Sequence, residues 1–266
     1  MKKNKLNLYM GPCVLESEEL ALAIAGKLLE TLQPFEDKIT LTFKGSFDKA
    51  NRSSIKSYRG PGIDEGLRIL STVKEKYGLK TLTDFHLPEQ AMKIAETVDI
   101  LQVPAFLCRQ TDMIESGALA CQKFKRILKV KKGQFLSPHE ALNIVEKASS
   151  ILPLEQILLT ERGSSFGYNN LVVDMSSFQI MKSFGVKTVH DATHCVQMPG
   201  GLGTQTGGKR EHILTLAKAA VAAGCDGVFM EVHPHPEKAL SDSATSLHLD
   251  KVYEIVDSLL KIYEVV

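Results

Sequence analysis

The chain has 266 residues, 44% hydrophobic and 24% charged, with 32 Lys and Arg against 31 Asp and Glu for a formal net charge of +1. That balance excludes a disordered chain, which could not bury enough apolar surface, and removes any general attraction to nucleic acid or anionic lipid. No apolar run approaches the roughly 20 residues that span a bilayer, and the basic start from Met1 to Met10 is followed by too short an apolar stretch for a signal-peptide core.

Strand-like apolar runs recur at Leu6 to Met10, Ile39 to Phe43, Leu79 to Thr83, Ile100 to Val103, Ile127 to Val130, Ile157 to Thr160, Thr188 to Asp191 and Gly227 to Val232. The segments between them carry helix signals. Ser17 precedes Glu18-Glu19-Leu20 as an N-cap, and Ser137-Pro138-His139-Glu140 places proline in a first helical turn. A helix is predicted over 208–223, closed by Gly224 in the left-handed conformation, and a last one from about Leu249 onward. Alternating units whose strands are apolar on both faces point to α/β architecture, a single (β/α)8 TIM barrel spanning residues 1–266. No Gly-x-Gly-x-x-Gly follows the first strand, so no dinucleotide crevice is expected. After the seventh, Gly200-Gly201-Leu202-Gly203 and Gly207-Gly208 form a glycine-rich loop, either an active-site loop or a plain connector. Five scattered cysteines, Cys13, Cys108, Cys121, Cys195 and Cys225, argue for reduced thiols rather than a disulfide framework. With no signal peptide or membrane span, a cytoplasmic protein is expected.

Polar residues fall at one place in each unit. Cys13, Lys44, Asp84, Gln102, Lys131, Arg162, His194 and Glu231 all lie at or near the C-terminal ends of their strands, where barrel enzymes build active sites. The stretch from Phe43 to Ser54 gathers Lys44, Lys49, Arg52, Asn51 and several hydroxyls directly after a strand, which suits a small anion such as phosphate or carboxylate. Cys13, His194 and Glu231 end strands one, seven and eight, neighbours in a closed barrel, and Asp242 lies in the next loop. A thiolate, an imidazole and two carboxylates on one arc suit a divalent Zn, Fe or Mn ion better than Mg or Ca. Singly, each also has an ordinary structural reading: a buried thiol, a loop histidine, a turn aspartate. Pleat alternation lets only one of Lys131 and Lys132 face the barrel, and Lys131 is the choice here.

Lys49-Ala50-Asn51-Arg52-Ser53-Ser54, Gly11-Pro12-Cys13, Gln102-Val103-Pro104-Ala105-Phe106, Arg109-Gln110-Thr111-Asp112, Asp191-Ala192-Thr193-His194 and Glu231-Val232-His233-Pro234 carry a resemblance in order along nearly the whole chain. It resembles the 3-deoxy-D-manno-octulosonate 8-phosphate synthases, which join phosphoenolpyruvate to arabinose 5-phosphate. The resemblance implies Cys13, His194, Lys44 and Asp84 at the reacting centre, and Cys13, His194, Glu231 and Asp242 as ligands of a metal. Those synthases divide into a metal-dependent class with cysteine at this position and a metal-independent class with asparagine, and this chain resembles the former. The resemblance further implies that Lys49, Gln102, Lys131 and Arg162 hold phosphoenolpyruvate, and that Asn51, Arg52 and Ser53 hold the sugar phosphate. Arg109 would complete the site of a neighbouring subunit in a homotetramer. No organic cofactor is implied. The related erythrose 4-phosphate synthases usually read Lys-Pro-Arg-Thr-Ser where this chain has Lys49 to Ser54. As a departure from the pattern of the resembled octulosonate 8-phosphate synthases, His190 stands where an apolar residue is common.

Overall fold

Side-chain alternation along each strand sorts its residues into an inward and an outward set, and a parallel barrel needs both to be covered. The computed structural model describes residues 4–52, 54–198 and 207–266. Strands β1 (Leu6–Gly11), β2 (Ile39–Lys44), β3 (Lys80–Asp84), β4 (Ile100–Val103), β5 (Ile127–Lys131), β6 (Ile157–Glu161), β7 (Lys187–Asp191) and β8 (Gly227–His233) pair in parallel in that order. β8 then returns to β1, with Asn7 opposite Gly227 and Gly11 opposite Glu231, so the sheet closes as the expected (β/α)8 barrel. Each predicted strand is present, with no end shifted by more than one residue.

Helices follow the strands as α1 (Glu18–Leu32), α2 (Ile63–Tyr77), α3 (Gln90–Thr97), α4 (Thr111–Phe124), α5 (Leu142–Ser149), α6 (Ser176–Lys182), α7 (Ile213–Ala222) and α8 (Val252–Tyr263). The Ser17 side chain accepts from Leu20 N at 3.1 Å and caps α1, whose buried Ala21, Ile24, Ala25, Leu28 and Leu32 recur at helical spacing. Ser137 and Glu140 exchange side-chain-to-backbone hydrogen bonds as a capping box ahead of α5. The predicted 208–223 helix starts later than expected. Gly207–Gly208 pairs antiparallel with Gln197–Met198, a 3-10 turn covers Arg210–His212, and only then does α7 begin. Gly224 beyond it has a φ of 88°, the left-handed conformation expected of a C-terminal glycine. The predicted glycine loop at Gly200 to Gly203 lies outside the described residues.

Outward-facing Leu8, Met10, Phe43, Leu101, Val103, Val130, Leu159 and Val228 join the main core with the helices. The opposite parity places Tyr9, Leu82, Ile100, Leu158, Val189 and Phe229 in a second buried cluster, the barrel interior. That cluster is the floor beneath the strand ends. At Gly11 a Cβ would collide with the Lys44 carbonyl oxygen, so only glycine lets β1 come this close to the end of β2. Among the described residues no helix is long and apolar enough to cross a membrane.

Candidate active site

Lys44 ends β2 with its side chain 2% exposed, and its amine is held at 2.9 Å from Glu231 Oε1 and 2.5 Å from the Cys13 carbonyl oxygen. Burial alone would lower its pKa, but the Glu231 carboxylate beside it outweighs burial and raises it, so the amine stays charged. Lys49, from the loop after β2, places its amine 2.9 Å from both Cys13 Sγ and Asp242 Oδ2. That loop folds back on itself through the Arg59 to Asp48 ion pair at 2.8 Å and the bond from Lys49 N to Arg59 O at 2.6 Å.

Sulfur and oxygen atoms of Cys13, Glu231 and Asp242 all lie within 4.8 Å of one another. His194 stands beside this group, its Nε2 3.5 Å from Glu231 Oε1 and 3.5 Å from Asp242 Oδ2. Its other nitrogen, Nδ1, lies 2.9 Å from Asp191 Oδ1. A carboxylate cannot donate, so Nδ1 carries a hydrogen; Asp191 and Glu231 raise the ring's pKa against burial, and only on losing its Nε2 proton would the ring offer a lone pair between the two acids. Glu231 Oε2 is buried and meets no hydrogen-bond partner among the described residues. Asp242 sits at a φ of 48°, in the left-handed region that aspartate enters more readily than most side chains, with bonds from Thr245 N and Ser246 N to its carbonyl. Burial, then Asp242 and Glu231, push the Cys13 thiol well above its usual pKa, and it donates to Asp242 Oδ2 at 3.1 Å. A soft sulfur, an aimed imidazole and two carboxylates, one with an orphaned oxygen, are the donors a first-row divalent cation requires.

His194, Glu231 and Asp242 edge a cavity of about 320 Å³ at the C-terminal mouth of the barrel. Cationic Lys44, Lys49, Arg52, Lys131 and Arg162 line it against Asp48, Asp84, Glu231 and Asp242. Lys131 pairs with Asp191 at 2.7 Å, whose carboxyl would be raised by burial but is driven well below the usual range by His194 and Lys131. Arg162 is 6% exposed and donates to Gln197 Oε1 at 2.9 Å, while its Nη1 and Arg52 Nε are buried without a partner among the described residues. Two such unpartnered cationic donors, on residues that line one cavity, are what an anionic ligand would satisfy. Lys132, as alternation predicts, points away and lies 3.4 Å from Glu161.

A family profile described as the DAHP synthetase I family matches residues 2–264. The chain belongs to this family. It is 50% identical over 259 residues to a protein of Syntrophotalea carbinolica, covering 97% of this chain and 91% of that one. It is 51% identical over 261 residues to one of Geobacter sp. strain M21, covering 98% and 93%. A Pelobacter propionicus protein is 50% identical over 264 residues, covering 99% and 94%. Each of the three is named 2-dehydro-3-deoxyphosphooctonate aldolase.

Within this family member, Asn51 and Arg52 line the cavity, whereas Ser53 lies outside the described residues. Gln102 does not line it. The side chain is fully buried below, donating to Asp84 Oδ1 at 2.5 Å. Arg109 is exposed outside the cavity, its carbonyl accepting from Lys147 Nζ at 3.1 Å. Sequence reasoning passed over His86, Gln134 and Gln197, which line the cavity, and quoted Asp191 in a motif without assigning it the role of orienting His194. Each lies two or three residues from a residue singled out as a site candidate, and alternation along β7 places Asp191 on the same inner face as Val189.

Proposed function

We propose that the protein condenses phosphoenolpyruvate with D-arabinose 5-phosphate and water, giving 3-deoxy-D-manno-octulosonate 8-phosphate and phosphate for lipopolysaccharide synthesis. One observation carries this: five cationic side chains converge on a single barrel-mouth cavity in a chain half identical to proteins named for an eight-carbon phosphooctonate. An eight-carbon acid follows from a three-carbon enol and a five-carbon aldose. The substrates bring two phosphates and a carboxylate close together, and their mutual repulsion in a low-dielectric pocket has to be offset by fixed cations.

Lys49, Lys131 and Arg162 hold the phosphate and carboxylate of phosphoenolpyruvate, and Asn51 and Arg52, with Ser53, hold the sugar phosphate. C3 of the enol then bonds to the aldehyde carbon, whose oxygen takes a proton. Water adds at C2, and phosphate leaves by cleavage of the C2–O bond. Cys13, His194, Glu231 and Asp242 would hold a divalent ion, Zn, Fe or Mn by its donors. When bound, such an ion supplies Lewis-acid polarisation and a fixed position for a reacting oxygen. Its charge would also occupy the acids that Lys44 and Lys49 now pair with, leaving both ammonium groups to the substrates. We place the enzyme in the cytoplasm as a homotetramer in which Arg109 reaches a neighbour's sugar phosphate.

Phosphate release from phosphoenolpyruvate should depend on arabinose 5-phosphate, with erythrose 4-phosphate a poor substitute. Comparable turnover with the two sugars would overturn this reading, and release with erythrose 4-phosphate alone would move the chain to the other reaction of its family.

A further inference from the structure

The floor of the cavity contains a lysine that none of these roles uses. Lys129 lies on β5 two residues before Lys131 and is 0% exposed. Among the described residues it has no acidic partner within ion-pair distance. Its Nζ donates to Gln102 Oε1 at 2.6 Å and sits 5.1 Å from the Phe229 ring centre and 5.4 Å from that of Tyr9. Gln102 Nε2 in turn donates to Asp84 Oδ1 at 2.5 Å, and Ser46 Oγ donates to Asp84 Oδ2 at 2.5 Å. Only Asp84 and Ser46 of this series reach the cavity wall.

The order of the series is forced. Asp84 can only accept, so it selects the NH2 of Gln102 and turns the amide oxygen toward the floor. There the oxygen needs a donor, and Lys129 supplies it. Without that donor the buried oxygen is left unsatisfied, and a flipped amide would set oxygen against carboxylate. We propose that Lys129 is a positioning residue for phosphoenolpyruvate, acting through Gln102 to fix the Asp84 carboxylate that Lys44 and Lys131 face. Burial, and then the charge of Lys131, hold its pKa well below that of an ordinary lysine, and what the Gln102 oxygen requires of it is a hydrogen-bond donor rather than a charge. A neutral donor of similar reach should therefore replace it.

The inference rests on the condensation proposed above, so its test reads phosphoenolpyruvate affinity by calorimetry as well as turnover. Lys129→Met should weaken phosphoenolpyruvate binding and lower kcat/KM at least 10-fold, with the KM for the sugar little changed. Lys129→Gln should recover most of the loss. In a Gln102→Leu background, itself impaired to a similar degree, Lys129→Met should add nothing. Unfolding temperatures of all variants check that the fold is intact. Should Lys129→Met not fold, Lys129→Gln and Gln102→Leu still read the two ends of the link. Undiminished phosphoenolpyruvate binding in Gln102→Leu or Lys129→Met, a Gln variant as impaired as Met, or losses that multiply in the double variant would each overturn the proposal. Failure of the wild type to release phosphate, with the binding pattern intact, would overturn the condensation and leave the role of Lys129 supported.

Discussion

Cys13 is the residue on which the metal reading turns, because its sulfur is the one soft donor in the cluster and lies against Asp242. Cys13→Ala should lose tightly bound metal and nearly all activity. Cys13→Asn should instead retain measurable turnover that a chelator does not abolish, since an amide can hydrogen-bond where a cation would sit. Metal analysis beside assays with and without chelator checks both, and a fully active metal-free wild type would contradict the assignment. Arg52, with a buried, unpartnered Nε at the cavity, makes a different kind of prediction. Arg52→Ala should weaken sugar-phosphate binding by about 1.5–3 kcal/mol, roughly 10- to 150-fold, with a smaller effect on phosphoenolpyruvate. Equal losses for both substrates would mean that the two subsites are assigned wrongly.

At the scale of elements, β7 and α6 enclose His190, which is fully buried with its ring edge-on to Phe178 at 5.8 Å and its Nδ1 without a partner among the described residues. Burial lowers its pKa from 6.5 to about 4. Between those values the unfolded chain binds a proton that the folded one refuses, so this group costs stability as pH falls from 6.5 toward 4, by about 1.4 kcal/mol per unit. His190→Leu should flatten that part of the stability curve. Denaturant unfolding at pH 7.5 and 5 would show it, and parallel curves for wild type and variant would count against it. The strands show what was legible in the sequence. Short apolar runs bounded by turns were enough to place all of them, because a barrel strand is covered on both sides. Lys129 was missed because an apolar run with a lysine inside it reads as a strand with one outward polar residue. Its inward position depends on parity with Lys131, and its tolerance there depends on Gln102 and Phe229, which belong to other strands.

For the whole molecule, the proposed tetramer gives a test that no single chain can mimic. Mixing Arg109→Ala subunits with His194→Ala subunits should restore activity above either parent, because hybrid sites would combine an intact Arg109 with an intact His194. No recovery in demonstrably mixed oligomers would mean that each site is built within one chain. The barrel itself could be read from the alternation of units, whereas cavity residues such as His86 and Gln134 could not. They come from loops, where position follows from packing across the strand ends rather than from any periodicity.

Closure of β8 onto β1 has a consequence in time. A chain emerging from the ribosome presents β1 early, yet its second edge stays unpaired until the segment from Gly227 onward is made. For most of synthesis that edge is a template for stray pairing, which Gly11 at its end does little to block. The sulfur and carboxylate of the proposed metal site stand on the two sides of this last seam. Catalytic competence would therefore be the final event of folding, and a half-made chain would hold neither ion nor substrate.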